Sequence, residues 1–573
     1  MSHAASAPTP DSSPDTKRAG LLAPLFALRS EHDLGVGDIA ALYELIDWAA
    51  PIGISFIQML PINETGSDHS PYNAISSVAI EPSTLSLRPE DLPDLTPNDF
   101  PETTNDESSF GVDYARVKAL KLSLLETAFQ NFKKLPPACK RRRNFRKFQK
   151  KQSDWLTPWT LFKALQQKLK TNEVFADWPE EFATYQQASN WLEAQEKKTV
   201  KSLCYQQEFY AYIQWIAFTQ WQEIRHYANQ KNILLIGDVP VGVSRYSCDV
   251  WSSPHLFDLQ RSSGAPPEKV FSSDPFTERW GQNWGFPLYD WFAMSHDNFW
   301  WWRQRLRLLL SVFDILRVDH ALGFFRIYSF PWQPHENEKF TNLSHDEAAA
   351  LTGGPLPGFI PFEDDSDEHR ERNRLHGLTL FKILLEETGP DRILAEDLGE
   401  VPDYVPPTLT ELQISGFKIP FWQNTPEGKL TPGDQYPRRS ICTFSTHDHP
   451  PLRSTWNQLI SQNNPHEEYE NLARFLDIPP DTLQPWSQEL HTAFFDALFS
   501  SNSWLAAFTI NDFLGTEDRF NVPGSISSAN WTARISTKIS HWNQTWPAEI
   551  QAARISIRKH DRLPPPPQLR PLT

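Results

Sequence analysis

The stretch that decides the fold is FDILRVDHALGFFR, residues 313–326. It begins with a short apolar run and is broken at Gly323, so it predicts a strand rather than a helix. Because alternate side chains of a strand share a face, Arg317 and Asp319 are expected to point the same way. An arginine beside an aspartate favours the ionised carboxylate. Such a carboxylate at a strand end is suited to nucleophilic attack on a glycosidic carbon; an Arg–Asp pair that only closes the strand is the alternative.

The bulk composition is that of a soluble globular chain with room for a large core. A single barrel with insertions reaches the size of this chain, 573 residues. The net charge of −17 argues against nucleic acid or an anionic membrane as partner. The basic run at residues 140–143 is therefore interpreted as a solvated helix face. Aromatic residues make up 13% of the chain, which permits a cleft lined for stacking on sugar rings but does not demonstrate one.

The four cysteines are scattered and share no metal-ligand spacing, so reduced thiols and no metal site are expected. They are Cys139, Cys204, Cys248 and Cys442. The N-terminal stretch has no signal-peptide pattern, and no apolar window of 18 residues is present. These features predict a cytoplasmic protein.

Short apolar runs bounded by turn residues predict about eight strands, most of them preceded by helices. The strands are expected at Leu21–Leu28, Ile54–Leu60, Ile233–Gly237, from Phe313 onward, Arg392–Ala395, Gly416–Pro420, Ser440–Phe444 and Trp504–Ile510. Unusual polar residues follow the strands, as in a (β/α)₈ barrel, whose chemistry lies on the loops after its strands. A doubly wound sheet is the alternative, but the chain has no Gly-rich phosphate loop. The prediction is an α/β protein, a (β/α)₈ TIM barrel with large inserted subdomains.

Composition divides the chain into a core with insertions and two tails. Residues 1–19 are rich in Ser, Pro, Thr and Ala and predict a disordered tail. The catalytic barrel is expected over residues 20–558, with a mainly helical insertion at about 81–230. A second insertion is expected at about 251–297. The Pro-rich residues 559–573 predict an extended or disordered tail.

Three carboxylates follow predicted strands, namely Asp319, Glu396 and Asp448. Glycosidic cleavage with retention needs two carboxyl groups about 5–5.5 Å apart, one as nucleophile and one protonated as acid. Glu396 suits the acid role because an apolar strand leads into it and burial raises the pKa of a carboxyl group. Asp448 could bind sugar hydroxyls, and His320 and His447 could donate to them. Taken singly, each acid is as often a helix cap or a loop anchor.

Five motifs occur in a fixed order: GDVPVGVSRYSCDVW, GQNWGFPLYDW, ILRVDHALGFF, ILAEDLG and FSTHDHPP. Together they resemble the motifs of the 4-α-glucanotransferases, the amylomaltases or disproportionating enzymes of glycoside hydrolase family 77 in the α-amylase clan. The resemblance covers roughly residues 20–535. It extends to LPINETGSDHSPYNAISS near the N-terminus and NDFLGTEDRFNVPGSISSANW near the C-terminus.

The resemblance implies a role for each matching residue. Asp319 would be the nucleophile, Glu396 the acid/base and Asp448 the transition-state stabiliser, while Arg317 would orient Asp319. Six further residues would bind sugar: His320 and His447 at the cleavage site, Asp238 and Trp284 on the donor side, and Ser70 and Tyr72 on the acceptor side. The family implies a barrel without a separate C-terminal β-domain, and no cofactor. The span at 264–285 is longer here than in many members and would border the cleft.

The resulting expectation is a 4-α-glucanotransferase that moves α-1,4-glucan segments from a maltodextrin donor to a glucose or glucan acceptor. Its reaction would be a retaining double displacement through a covalent glycosyl-Asp intermediate. A retaining α-glucan hydrolase with the same three acids and a wetter acceptor site is the second possibility. A non-catalytic glucan-binding protein on a decayed barrel is a third, which the presence of all three acids disfavours. The sequence does not determine the oligomeric state.

Overall fold

Eight parallel strands close a barrel. Each barrel strand pairs with the barrel strands that precede and follow it in the sequence, and the last pairs with the first. They are β1 (Arg18–Leu22), β2 (Ile54–Gln58), β3 (Leu234–Val239), β4 (Ile315–Val318), β5 (Ile393–Ala395), β6 (Ser415–Lys418), β7 (Ser440–Cys442) and β8 (Leu505–Thr509). The (β/α)₈ prediction is confirmed, including the strand that begins in the stretch at 313–326.

The computed structural model describes residues 10–101, 111–170, 174–267, 274–462, 466–479, 485–523, 527 and 529–565. Its longer helices run over Ile39–Ala49, Tyr114–Lys134, Lys140–Lys151, Ser153–Leu169, Tyr185–Glu193, Lys201–Gln230, Trp300–Leu309, His345–Thr352, Asp367–Thr388, Val405–Glu411, Leu452–Ser461, His466–Phe475, Gln488–Ser500 and Pro547–Lys559. Shorter helices cover Cys248–Ser252, Pro275–Trp280, Trp291–Ser295, Asn337–Phe340, Ile510–Leu514 and Trp542–Thr545. Within the described ranges, none of these helices combines the length and the apolar character that crossing a bilayer requires.

The interior of the barrel is filled by apolar side chains from its strands and strand ends. This buried cluster comprises Phe56, Leu234, Ile236, Ile315, Leu394, Phe417, Ile441, Trp504, Leu505 and Ala507. The guanidinium of Arg317 lies 5.7 Å from the ring centre of Phe417, so the polar site begins where this cluster ends. A filled barrel has no channel, and its chemistry must lie at the carboxyl ends of the strands.

The first strand begins earlier than predicted, and the predicted N-terminal boundary is wrong. β1 covers Arg18–Leu22, so Arg18 and Ala19 belong to the barrel and not to a disordered tail over residues 1–19. The predicted strand to Leu28 is cut short because Pro24 has no N–H to donate, and Leu25–Ala27 form a 3₁₀ turn instead. Residues 1–9 of the predicted tail lie outside the described part.

The predicted tail at residues 559–573 also needs correction at its start. Arg562 is fully buried and donates hydrogen bonds to the carbonyls of Phe499, Ser503 and Arg18. These bonds join the end of the chain to β1 and to the segment before β8. Residues 560–565 are therefore anchored to the barrel, while 566–573 lie outside the described residues.

Two long connections enlarge the barrel. The connection from β2 to β3 is mostly helical, and its last helix, Lys201–Gln230, packs on the barrel through Trp221, whose ring lies 5.5 Å from that of Phe313. The connection from β3 to β4 also contains the two-stranded pair Phe257–Asp258 and Leu288–Tyr289.

A four-stranded antiparallel sheet combines the segment at 251–297 with the segment that follows β4. It is formed by Gln282–Asn283, Ser262–Ala265, Ile327–Phe330 and Gly358–Ile360. Gly264 and Gln282 from one segment and Tyr328 and Phe359 from the other line the main cleft. After β8 the described residues contain helices and no further strand.

Candidate active site

The main cleft of the molecule opens at the carboxyl ends of the barrel strands, with a volume of about 1560 Å³. Nine of the ten predicted site residues line it: Ser70, Tyr72, Trp284, Arg317, Asp319, His320, Glu396, His447 and Asp448. The tenth, Asp238, has a fully buried side chain and lies beneath the wall. The structure therefore brings all ten residues together. The predicted direct contact between Asp238 and a sugar stays a prediction.

Arg317 is a buried guanidinium shared by two carboxylates. Its Nη1 atom donates to both Asp238 oxygens at 2.7 and 2.8 Å and to Asp319 Oδ1 at 2.9 Å. Burial alone lowers the pKa of Arg317. The electrostatic attraction of Asp238 and Asp319 outweighs this effect of burial and holds the pKa of Arg317 well above its usual range. The predicted contact between Arg317 and Asp319 is confirmed, and it holds one Asp319 oxygen in place.

Glu396 stands beside Asp319 on paired strands. Ala395 of β5 pairs with Val318 of β4, and each acid is the next residue in its chain. Neighbouring strands lie about 4.8 Å apart, and both acids line the same cleft. Glu396 N donates to Val318 O at 2.9 Å, and Glu396 Oε2 accepts from His320 N at 2.8 Å. The backbone of this acid is therefore fixed by one hydrogen bond and its carboxyl group by another, each to a backbone group of a neighbouring segment.

The two neighbouring acids have different environments. Burial raises the pKa of Glu396 well above its usual range, and the negative charge of Asp319 raises it further, against the lowering effect of Arg317. Asp319 itself receives a hydrogen bond from the Arg317 guanidinium. A buried acid with a raised pKa beside a carboxyl oxygen oriented by a hydrogen bond is the arrangement that proton donor and nucleophile require.

Asp448 follows β7 and is held by hydrogen-bond donors. Its Oδ2 lies 3.2 Å from His447 Nε2, and its Oδ1 accepts from Asn521 Nδ2 at 2.7 Å. Burial by itself raises the pKa of Asp448, but His447 and Asn521 outweigh this effect and the pKa is lowered. This acid stays ionised and can accept hydrogen bonds from sugar hydroxyls.

Tyr72 forms a flat aromatic wall with His447. The two rings are stacked with centroids 4.9 Å apart and an angle of 16°. The Tyr72 hydroxyl donates to Asp238 Oδ2 at 2.7 Å, and burial next to Asp238 raises the pKa of Tyr72 well above its usual range. Ser70 Oγ accepts from Tyr72 N at 3.4 Å, which helps to shape the loop that carries both predicted acceptor-side residues.

On the other side of the acids, Trp284 stands perpendicular to His320, with ring centroids 5.0 Å apart. His320 has a φ of +42°, in the left-handed region that non-glycine residues rarely adopt. Burial lowers the pKa of His320, so its imidazole is neutral near pH 7 and can donate a hydrogen bond without carrying charge. Strained backbone of this kind persists where the surrounding structure holds a functional residue in place.

Sequence reasoning assigned no role to three residues of the segment after β8. Arg519 Nη2 donates to the backbone oxygen of Asp448 at 2.8 Å, and Asn521 holds its carboxylate. The Trp531 ring lies 5.9 Å from Tyr72 and 5.8 Å from His447. All three lie in NDFLGTEDRFNVPGSISSANW, so a polar segment directly after the last barrel strand was the available signal.

The site chemistry is that of carboxylates, a guanidinium and aromatic rings. In the described part of the chain, no group of three or more His, Cys, Asp and Glu side chains is arranged to hold a metal ion. The arrangement can donate a proton from Glu396, attack through Asp319 and hold hydroxyl groups through Asp448 and the histidines. These are the requirements of glycosyl chemistry with retention.

A (β/α)₈ barrel with three acids after its strands is the architecture of a glycosyl-transferring enzyme, and this is the class to which the protein belongs. The family model described as 4-alpha-glucanotransferase, glycoside hydrolase 77, matches residues 23–540. The chain belongs to this 4-alpha-glucanotransferase family, and the resemblance carried by the five motifs is confirmed.

Individual relatives agree with this assignment, and a solved structure shares the fold. The 4-alpha-glucanotransferase of Chlamydia pneumoniae is 31% identical over 541 residues, covering 90% of this chain and 91% of the relative. The 4-alpha-glucanotransferase DPE2 of Oryza sativa is 35% identical over 322 residues, which cover 55% of this chain and 32% of that protein. The amylomaltase of Streptococcus agalactiae in complex with acarbose shares the fold, with a TM-score of 0.75 at 21% identity, covering 95% of this chain and 99% of that one.

Proposed function

We propose that this enzyme transfers α-1,4-glucan segments from a maltodextrin donor to a glucose or glucan acceptor by a retaining double displacement. The observation that carries the proposal is the position of Asp319 and Glu396 directly after the paired strands β4 and β5, the first hydrogen-bonded to a guanidinium and the second buried. Because the two acids follow neighbouring strands and line one cleft, they can act on the same glycosidic bond, Asp319 at the anomeric carbon and Glu396 at the leaving oxygen.

In the first step, an Asp319 carboxylate oxygen attacks the anomeric carbon of the donor. The glycosidic bond breaks, and Glu396 transfers its proton to the departing oxygen, so that a β-linked glycosyl ester and a shortened glucan result. Arg317 orients Asp319, and Asp238 supports Arg317 from below. Asp238 therefore acts as a positioning residue in our proposal, and its direct contact with a donor sugar stays a prediction.

In the second step, the ionised Glu396 accepts the proton of an acceptor 4-hydroxyl group. The oxygen of that hydroxyl group attacks the anomeric carbon of the glycosyl ester. The ester bond breaks, Asp319 is regenerated, and the α configuration is restored. Asp448 accepts hydrogen bonds from sugar hydroxyls, and His320 and His447 donate to them as positive charge develops on the ring. The residues that act in these steps are all side chains of this chain, and the proposal includes no cofactor.

Transfer competes with hydrolysis for the same glycosyl ester. A transferase succeeds when the acceptor sugar is bound and oriented while water is excluded. The stacked rings of Tyr72 and His447, with Trp531 beside them, supply a flat surface for an acceptor sugar. We assign the acceptor side to this wall and to Ser70. We assign the donor side to Trp284 and to the sheet formed by residues 251–297 and the segment after β4.

The saccharide ligand is supported by one solved neighbour and by the shape of the cleft. The amylomaltase of Streptococcus agalactiae was solved with acarbose. The cleft here, at about 1560 Å³, has room for several sugar units on either side of the acids.

The domain division that we propose is a catalytic barrel with a helical insertion between β2 and β3 and a cleft-bordering insertion at about 251–297.

The deciding experiment is product analysis with maltotriose as the only substrate, with reducing ends followed in parallel. Transfer yields glucose and a series of longer maltodextrins at a constant number of reducing ends. Shortening with rising reducing ends would instead establish the retaining hydrolase. Binding without any change in maltotriose, or in maltose plus glycogen, would establish the non-catalytic alternative, and Asp319→Asn provides the inactive control.

A further inference from the structure

A second cavity, of about 190 Å³, lies between helices outside the barrel strands. Its lining comes from the helix Ser153–Leu169, the helix Cys248–Ser252 with the turn after it, the start of the helix Trp300–Leu309, and residues 76–78. No described residue lines both this cavity and the catalytic cleft. The cavity is much larger than the space that one water molecule needs.

The lining combines tryptophan rings with side chains that form hydrogen bonds. Its main members are Trp155, Trp159, Trp300, Asp154, Asp297 and His255. The apolar face of a sugar ring packs on an indole, while carboxylates and an imidazole accept or share its hydroxyl hydrogens. The lining contains three carboxylates, Asp154, Asp249 and Asp297, and on a chain of net charge −17 they suit a neutral polyol and disfavour an anionic ligand.

One donor in this cavity lacks a partner. Trp159 is 1% exposed, and in the described part of the chain its indole nitrogen Nε1 is buried without a hydrogen-bond partner. The neighbouring indoles differ: Trp155 Nε1 donates to Gln152 and Trp301 Nε1 donates to Asp249, each at 3.0 Å. Because buried N–H groups are nearly always paired, an unpaired indole N–H on a residue of the cavity wall is an exception that calls for a partner.

Trp300 is held in an exposed position by an unusual turn. It is 43% exposed, which is high for the largest apolar side chain. The two residues before it, Asn298 and Phe299, both have left-handed backbones, with φ of +60° and +57°. Asp297 Oδ1 accepts from Trp300 N at 3.1 Å, and the Arg307 guanidinium lies 5.4 Å from the indole ring. These contacts restrain an aromatic surface beside the cavity.

We propose that this cavity is a second, non-catalytic sugar site that holds a glucose unit of an α-glucan while another part of the polymer occupies the cleft. The proposal rests on the proposed function only for the identity of the sugar. Trp300 would stack on the ring, Trp159 would donate to a hydroxyl, and Asp154 and Asp297 would accept from others. Holding a polymer at one site raises the effective concentration of its chain ends at the other.

The test is native gel electrophoresis in gels with increasing dissolved glycogen, which measures the retardation of each protein by the polymer. Trp300→Ala removes the stacking surface, and Trp159→Phe removes the N–H donor while keeping an aromatic ring. The matched control is Phe292→Ala, because Phe292 is 76% exposed and does not line the cavity. Rates with maltotriose are measured for all three, since this short substrate does not need a second site.

The expected result is weaker retardation of both cavity variants, by about threefold to tenfold in apparent affinity, with the control unchanged. Maltotriose rates should stay at the wild-type level in all three variants. Equal retardation of the cavity variants and the wild type would overturn the proposal, as would a wild-type protein that glycogen does not retard. Retardation of a wild-type protein that leaves maltotriose unchanged would contradict the proposed function but not the sugar site.

Discussion

Arg317 Nη1 lies 2.9 Å from Asp319 Oδ1 while the same nitrogen contacts both oxygens of Asp238. One buried guanidinium thus joins an acid that faces the cleft to an acid that does not. Because Asp238 also accepts the Tyr72 hydroxyl, the nucleophile side and the acceptor side share one hydrogen-bond network. Orientation of the proposed nucleophile therefore depends on two strands, β3 and β4, and on the loop after β2.

Replacing Arg317 tests this network. Arg317→Met leaves the buried Asp238 and the cleft-facing Asp319 without their cation, and breaking a buried ion pair such as Arg317–Asp238 costs about 3–5 kcal/mol of unfolding free energy. Arg317→Lys keeps the charge but cannot bridge two carboxylates with the same planar group, so kcat/KM should fall about 100-fold with a smaller stability loss. Denaturant unfolding and maltotriose kinetics measure the two effects. Equal stability of the Met and Lys variants would contradict the role of the charge.

Asp319→Asn should abolish transfer without loss of the fold. The amide cannot form the glycosyl ester, and loss of a covalent nucleophile lowers kcat by about 10⁴-fold or more. The Asn side chain still offers an oxygen to Arg317, so the circular dichroism spectrum and glucan binding should match those of the wild type. Transfer at the wild-type rate by this variant would refute the assignment of the nucleophile.

Glu396→Gln separates acid catalysis from nucleophilic attack. With maltotriose, the rate should fall about 10²–10⁴-fold, because the leaving sugar oxygen no longer receives a proton. With α-maltosyl fluoride, whose leaving group needs no proton, fluoride release should be far less affected. The Asp319→Asn variant should lose both reactions and serves as the matched control. Equal losses with both donors would show that Glu396 is not the acid.

The pH dependence of activity should reflect the same residue. Because burial raises the pKa of Glu396 well above its usual range, the group is protonated in free enzyme at pH values where an exposed glutamate has lost its proton. We expect kcat/KM for maltotriose to fall on the alkaline side as Glu396 ionises. That alkaline fall should be absent with α-maltosyl fluoride in the first step. Its persistence with both donors would assign it to another group.

Tyr72 tests the acceptor wall. Tyr72→Phe keeps the ring stacked on His447 and removes one hydrogen bond to Asp238, for a stability loss of about 1.5–3 kcal/mol. Tyr72→Ala removes the ring as well, so water should capture a larger share of the glycosyl ester. The ratio of new reducing ends to transferred segments should rise in the Ala variant and stay near wild type in the Phe variant. An unchanged ratio in both would remove Tyr72 from the acceptor side.

Asp512 gives a prediction for stability. Burial raises the pKa of Asp512 to about 6 from an ordinary value of 3.8, against hydrogen bonds from Leu452 N and Ser445. Because the pKa of Asp512 is raised in the folded state, protonated Asp512 contributes to stability. This contribution is complete below about pH 4 and is lost as the pH rises through about 6. The difference in unfolding free energy between wild type and Asp512→Asn should therefore shift by about 3 kcal/mol against the wild type. Urea unfolding at pH 4 and pH 7 measures it, and an equal difference at both pH values would exclude ionisation of Asp512 as the cause.

The sequence by itself determined the order of the barrel strands and the three acids. Apolar runs and turn residues are local signals, and in a parallel barrel any polar residue after a strand must lie at the same end. This is why Asp319, Glu396 and Asp448 could be placed together before any contact was known. The Arg317–Asp319 pair followed from strand alternation alone.

The tertiary structure decided the contacts between residues far apart in the chain. Asn521 reaches Asp448 across 73 positions, and Arg562 is fixed by the carbonyl of Arg18 across 544 positions. Asp238 lies beneath the cleft because the closure of β3 against β4 sets its side chain under Arg317. No local pattern encodes such distances, since they arise only when the strands have paired and the barrel has closed.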